Sequence, residues 1–296
     1  MTLTSAPDLA TPPVRRPFRQ GMARLRRDPV SLGALIIILA MVLAAVFAPW
    51  AAPYDPNATD ISVALEASSW AHLLGTDVYG RDQLSRIIYA ARIDLLIPAA
   101  ATAIALIIGC AIGAVAGYRG GWLDHIVMRC VEAVMAFPAL VLAMGLAAAL
   151  GSGLGNLVIV IAVTQVPTYL RLIRGEMLRV RDMEYAEAAR TVGNGDGRII
   201  FVHLLPNCIP PIIVQATLSL GYGLLTMATL SFLGLGVRPP DSEWGEMTAE
   251  GASQIVTGEW WLFVFPGLAI IFTVLAFNLV GDALRDLLDP RMRGVK

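Results

Sequence analysis

Lysine is almost absent: Lys296 is the only one among 296 residues. A G-x-x-x-x-G-K-[ST] phosphate loop needs a lysine followed by Ser or Thr to hold the β- and γ-phosphates, so this polypeptide carries none. Any ATP that drives it is hydrolysed on another chain. Histidine is nearly as scarce. His72, His125 and His203 stand far apart, with neither an HExxH pattern nor a carboxylate cluster at helical spacing, which leaves zinc chemistry without a ligand set. The three cysteines, Cys110, Cys130 and Cys208, lie in or beside apolar stretches without CxxC spacing and read as small buried hydrophobes. No catalytic residue emerges either. Ser231 sits in an apolar run, but the His or Lys that a serine-type membrane protease sets against it is missing.

Charge is the next shortage. Charged residues make up 15% of the chain against 56% hydrophobic ones, with mean hydropathy +0.67; an ordinary soluble domain carries about a quarter charged residues. The composition is that of a polytopic membrane protein. Apolar runs long enough to span a bilayer fall at 33–52, 95–117, 122–150, 157–172, 209–235 and 262–280. The first of them can span by itself, so no cleavable signal peptide is expected. Gly109, Gly113 and Gly117, four apart on one helix face, predict close packing against a neighbouring helix. Pro138 predicts a kink in the third span by freeing the Val134 carbonyl, and Arg129 and Glu132 predict a local pair at its cytoplasmic end. A proton-driven carrier would show carboxylates deep in its spans. Here Asp94, Glu132 and Asp282 all fall near ends. The polar mid-span residues left over are Thr164, Gln165 and Gln215, which suit either a solute pathway or helix packing.

Position of charge then sets orientation. Residues 1–32 hold six arginines and the prolines Pro7, Pro12, Pro13 and Pro17 ahead of Pro29, a basic cytoplasmic tail with a short amphipathic helix. Of the 22 Lys and Arg residues, 18 fall on this tail, on 118–129, on 171–198 and on the C-terminus; only Arg81, Arg86, Arg92 and Arg238 fall on the opposite side. The asymmetry predicts six spans with both termini cytoplasmic and external loops at 54–90 and 236–259. The expected organisation is a tail over 1–32, a first span with its external loop over 33–90, a permeating core over 91–285 and a cytoplasmic tail over 286–296.

One polar stretch interrupts this pattern. Residues 184–207 read EYAEAARTVGNGDGRIIFVHLLPN and predict two short helices broken at 193–195, with an apolar helix beginning after Pro206. Asp182 is the expected N-cap, and Glu184 in the first turn suits the helix dipole. Tyr185, Ala188, Ala189 and Val192 recur at i, i+3, i+4 and i+7 and form a narrow stripe, flattened by its two alanines. Gly193 fits a left-handed C′ position. Asp196 would cap the second helix, whose apolar residues are Ile199, Ile200, Val202, Leu204 and Leu205. Such a segment reads as a docking element for a partner groove or as an interfacial helix lying on lipid; both stand at this point.

Glu187-Ala188-Ala189, Gly193 and Leu205-Pro206 fit the pattern E-A-A-x3-G-x9-I-x-L-P, with His203 in place of Ile. This resembles the EAA loop of permease subunits of ABC importers, and the H-x-L-P-N ending resembles their peptide-importer branch. Blocks at 74–92 (LGTDVYGRDQLSRIIYAAR), 117–129, 136–140, 230–247 and 277–291 resemble the C-type oligopeptide/dipeptide permeases in the same order. The resemblance implies an all-α integral membrane fold of type I ABC importer permeases, with six transmembrane helices and a cytoplasmic coupling helix–turn–helix over 182–206. It implies a non-catalytic inner-membrane subunit forming half of a pathway for di- and oligopeptides. Its implied partners are a second, homologous permease, two ATPase subunits that bind the ATP and Mg, and a periplasmic or lipid-anchored binding protein facing the external loops; membrane lipid surrounds it and no nucleic acid is involved. Glu187, Ala188, Ala189 and Gly193, with Tyr185 and Val192 on the same stripe, would meet an ATPase groove. Nickel chelates, glutathione or another small solute on the same scaffold, and a stand-alone carrier or scaffold, remain alternative readings.

Overall fold

Asp28 opens the first helix, α1 (Pro29–Val46), by accepting the Val30 and Ser31 amides at 3.3 and 3.2 Å, with Pro29 in the first turn, where its missing N–H costs nothing. It is the first of the residues 28–288 that this computed structural model describes; most of the expected basic tail, and positions 289–296 of the C-terminal tail, lie outside them. Regular structure among the described residues is helical apart from an isolated bridge between Thr76 and Asp82. After α1 come α2 (Ala48–Ala51), α3 (Gln83–Arg119), α4 (Gly121–Met135), α5 (Ala139–Leu150) and α6 (Leu154–Val180). They are followed by α7 (Glu184–Thr191), the single turn α8 (Asp196–Arg198), α9 (Ile209–Phe232), α10 (Trp244–Ala252) and α11 (Trp261–Leu288).

Among the described residues, five helical runs are long and apolar enough to cross a membrane: α1, α3, α6, the run 196–232 and α11. The sixth expected span is not one kinked helix. It is two, α4 and α5, meeting at 87°, with Pro138 as the N-cap of α5. Residues 136–138 therefore form an elbow, a larger change of direction than a freed carbonyl alone produces. The first span starts earlier than composition suggested and stops at Phe47, ahead of Pro49. The fourth is longer: α6 runs through Pro167 to Val180, so Arg171, Arg174 and Arg179 sit on its last turns and not in a separate polar segment. α3, at 37 residues, measures about 55 Å and exceeds the hydrocarbon core by several turns.

α3 and α6 form the most extensive helix pair, and glycine explains how. A Cβ on Gly109 would lie 2.6 Å from Tyr169 Cβ, and one on Gly117 would lie 2.8 Å from the Arg174 carbonyl oxygen. The three glycines let the two backbones touch, as their spacing predicted. Around this pair the buried core is built largely from alanine and β-branched residues, including Ala101, Ala105, Ala114, Val160, Ile161 and Ile173. α9 and α11 pack beside it, and α1 lies at the edge against α3 and α11 with most of its apolar surface exposed. Cys110 and Cys208 are buried as expected, but Cys130 is exposed.

The stretch 236–259, expected as an external loop, contains a helix. Its α10 folds back into the bundle, with Trp244 fully buried. Gly245 approaches so closely that a Cβ would lie 2.3 Å from the Ala228 carbonyl oxygen, and one on Gly251 would stand 2.3 Å from the Leu262 backbone.

Candidate coupling segment and membrane cavity

The polar interruption is built as a short helix followed by a turn that runs directly into a membrane helix. α7 starts after Met183, whose side chain supplies no cap. Asp182 does not fill that role; it lies 3.5 Å from the Arg181 guanidinium instead. α7 ends as the sequence predicts. Gly193 adopts φ +83°, its amide donates to the Arg190 carbonyl at 2.9 Å, and the Asn194 amide reaches back to the Ala189 carbonyl at 3.2 Å. That pair of bonds is the Schellman arrangement, which only a residue at ease in the left-handed region closes without strain. The second helix is shorter than expected. Gly195, not Asp196, is the N-cap of α8. The chain then widens into a π-helical stretch, Ile199–Leu204, and tightens into a 3-10 turn, Leu205–Cys208, before α9.

The α7 stripe divides between two environments. Ala186 and Ala189 are buried, whereas Tyr185, Glu187, Ala188 and Val192 face outward, Val192 at 82% exposure. Ala189 thus anchors the helix and does not contribute to its open face. At 100° per residue Ala189 stands at the edge of the stripe, between Tyr185 and Ala186, and the buried side begins there, while Ala188 and Val192 turn away from it. Arg190 lashes the helix down, donating to the Arg181 carbonyl at 2.7 Å and to the Tyr118 hydroxyl at 3.3 Å. Arg181 in turn donates to the Gly117 carbonyl at 3.2 Å, and Arg119 lies 3.6 Å from Asp196. Nearby, Arg174 grips Asp124 with two bonds of 2.5 and 2.6 Å. The ends of α3 and α6, the start of α4 and the segment 184–198 are therefore tied together at one end of the bundle. Arg129 and Glu132 pair at 3.0 Å, both exposed.

Deeper along the spans lies a cavity of about 420 Å³ between the α4–α5 elbow, α6 and α9. Thr164, Gln165 and Gln215 all line it. Their states differ. Gln165 is buried and engaged at both ends: its carbonyl accepts from the Thr102 hydroxyl at 3.1 Å and its amide donates to the Ser219 carbonyl at 3.1 Å. That residue ties α3, α6 and α9 together. Thr164 donates to the Ile161 carbonyl at 2.8 Å, within its own helix. Gln215 makes one long bond, 3.3 Å, to the Ser219 hydroxyl.

At the opposite end of the bundle is a cluster that sequence reasoning missed. Arg86, buried to 1% exposure, donates to Asp77 at 2.6 Å, to Glu250 at 2.9 Å and to Glu246 at 3.4 Å. Arg81 reaches Asp77 at 2.6 Å and Glu250 at 3.3 Å. Burial pushes the Glu246 carboxyl up to about 7, against the opposing pull of Arg86. Glu243 caps α10 by accepting the Gly245 and Glu246 amides at 2.9 and 2.8 Å, and burial raises it as well. The Trp244 indole donates to the Ile87 carbonyl at 3.0 Å. The loop before α3 and the re-entering α10 are thus one unit. Among the described residues, no three His, Cys, Asp or Glu side chains are placed to hold a metal ion.

Comparison with known proteins adds to this geometry. Residues 109–294 match the family model described as "Binding-protein-dependent transport system inner membrane component", and residues 16–68 match the "N-terminal TM domain of oligopeptide transport permease C". The chain is 43% identical over 270 residues to the probable D,D-dipeptide transport system permease protein of Escherichia coli, covering 91% of this chain and 90% of that one. It is also 43% identical over 295 residues to the di/tripeptide transport system permease protein of Pseudomonas aeruginosa, covering 98% and 96%. A glutathione transport system permease protein of Pectobacterium atrosepticum is 40% identical over 292 residues, covering 98% and 97%.

Proposed function

This chain belongs to the family of binding-protein-dependent transport system inner membrane components, and from that premise we infer that it is the permease subunit of an ATP-driven peptide importer. It has the all-helical type I ABC importer permease fold and is a multi-pass protein of the inner membrane. It is not itself an enzyme, since ATP is hydrolysed by a separate subunit of the transporter complex, to which a binding protein brings the solute. The observation that carries the peptide assignment is full-length similarity to dipeptide and di/tripeptide transport permeases.

In the complex we propose, a second, homologous permease completes the pathway and two ATPase subunits sit beneath the arginine-rich end, with both termini on that cytoplasmic side. α7 then docks into an ATPase groove through Tyr185, Glu187, Ala188 and Val192. Gly193 fixes the helix end, and buried Ala189 transmits the displacement inward. The reading is supported by outward exposure of that face and by the bonds from Arg190 and Arg181 to α3 and α6, which make a push on α7 a push on the spans. Thr164, Gln165 and Gln215 line this chain's part of the pathway. The external loops at 54–90 and 236–259 face the binding protein.

A test is uptake by the complex reconstituted with its ATPases, second permease and binding protein. ATP-dependent uptake of labelled di- and tripeptides is expected, lost when this chain is omitted. Uptake of glutathione without uptake of other peptides would transfer the assignment to the glutathione branch, and ATP-independent uptake by this chain alone would overturn it.

A further inference from the structure

We propose that Gln215, with Thr168 and Tyr222, forms a neutral subsite that hydrogen-bonds the backbone amides of a passing peptide and does not read its charge. The inference rests on the peptide-importer reading and deepens it.

The cavity at the α4–α5 elbow has a volume within the range of small-molecule sites. Among the described residues lining it, none carries a charge. A wall without counter-charges offers nothing to offset desolvation of a charged terminus or side chain, so those groups gain nothing from this surface. What remains for recognition is hydrogen bonding by uncharged groups.

Most such groups here are already occupied. The Gln165 amide is satisfied at both ends and the Thr164 hydroxyl donates within its helix. Gln215 is different. Its carbonyl oxygen accepts no hydrogen bond from the described residues, and only one long bond engages its NH2 group. Thr168 and Tyr222 also line the cavity and are exposed, and their hydroxyls make no hydrogen bond to the described residues. A primary amide both donates and accepts, and so do the two hydroxyls. An extended peptide presents the same two functions at every residue, whatever its side chains. The match is therefore to the peptide backbone, the one feature that all peptides of the class share. Specificity for side chains would have to arise elsewhere in the complex.

The test uses the whole reconstituted transporter and three tripeptide probes, one neutral, one lysine-containing and one aspartate-containing, each loaded to saturation on the binding protein. Gln215→Leu should slow all three by a similar factor, about fivefold for one lost hydrogen bond. Gln215→Glu should raise the ratio of cationic to anionic uptake roughly tenfold, the size of one unit-charge contact near water. Thr168→Asp, on the other helix, should shift the ratio in the same direction. Gln165→Leu should instead lower the amount of folded protein in the membrane and leave the ratio unchanged. The proposal fails if Gln215→Glu and Thr168→Asp both assemble normally with an unchanged ratio, or if Gln215→Leu slows only one charge class. Failure of both acidic variants to assemble also sinks it, because groups facing an open cavity should tolerate such changes. If the unaltered complex takes up no peptide, the functional reading falls first.

Discussion

Gly113 approaches Leu170 so closely that a β-carbon on the glycine would stand 2.5 Å from the Leu170 carbonyl oxygen. The contact is backbone against backbone, so no flexible side chain can yield. Gly113→Ala should destabilise the α3–α6 pair by ~1–3 kcal/mol, the usual cost of overpacking, and Gly113→Leu should abolish accumulation in the membrane. Gly145→Ala is the control, since a Cβ there meets nothing within 4 Å. Thermal unfolding in detergent and yield by size-exclusion chromatography check both. A fully stable Gly113→Leu protein would show that the two helices do not meet as described.

The Asp124–Arg174 pair should behave as a geometric clamp and not as a simple charge contact. Arg174→Lys keeps the charge but loses the two-pronged grip, so it should behave nearly as badly as Arg174→Ala. Alanine leaves a largely buried carboxylate without its partner, at a cost of about 1–3 kcal/mol, and lysine cannot restore the parallel pair of bonds. A double-mutant cycle with Asp124→Asn should return a coupling energy of about 1 kcal/mol or more. A coupling near zero, or full rescue by lysine, would contradict the clamp.

The cluster around Arg86 should make stability depend on pH. The folded-state pKa of Glu246 lies near 7, above the ordinary value of an unfolded glutamate, so the native chain binds more protons between those limits. Stability contributed by the protonated form is present below the ordinary glutamate range and is lost as pH rises through about 7. The apparent Tm of the solubilised transporter should therefore fall between pH 5 and pH 8. Glu246→Gln should flatten that slope and raise Tm at pH 8. A slope identical in both proteins would place the titrating group elsewhere.

Much of the fold was legible because bilayer and helix periodicities leave strong marks. Apolar run length located the spans, the 109–113–117 spacing located the closest helix contact, and Gly193 located the end of α7. The misses have physical causes. Run length cannot separate a kink from an elbow, so composition alone predicts one bent span where the chain breaks by 87° at Pro138. Acidic composition marks 236–259 as an external loop and does not announce the helix inside it, although Trp244, Met247, Thr248 and Gly251 have the i, i+3, i+4, i+7 spacing of a packed helix. The Arg86 cluster joins side chains about 160 residues apart, a pairing that no local pattern announces. For the pathway, sequence gave the residue types at 164, 165 and 215. Which of them were already hydrogen-bonded depended on contacts with α3 and within α9.

Gly193 gives the clearest separation between a docking helix and one that lies on lipid. A Cβ at this position meets no atom within 4 Å, yet φ is +83°, so substitution there perturbs conformation and not packing. A β-branched residue in the left-handed region costs about 1–2 kcal/mol, enough to open the Schellman turn and fray the last turn of α7. Gly193→Val should therefore leave the spans folded and the membrane abundance normal. Substrate-stimulated ATPase activity and uptake by the assembled transporter should fall several-fold together. Gly193→Asn, which tolerates the same backbone region, should retain most of both, and Gly193→Asp should add a negative charge at the C-terminal end of α7, where the helix dipole disfavours it, and uncouple more severely than Asn. A helix held only by lipid would carry no such link to ATP hydrolysis. Unchanged stimulation in Gly193→Val and Gly193→Asp would return the segment to that simpler role.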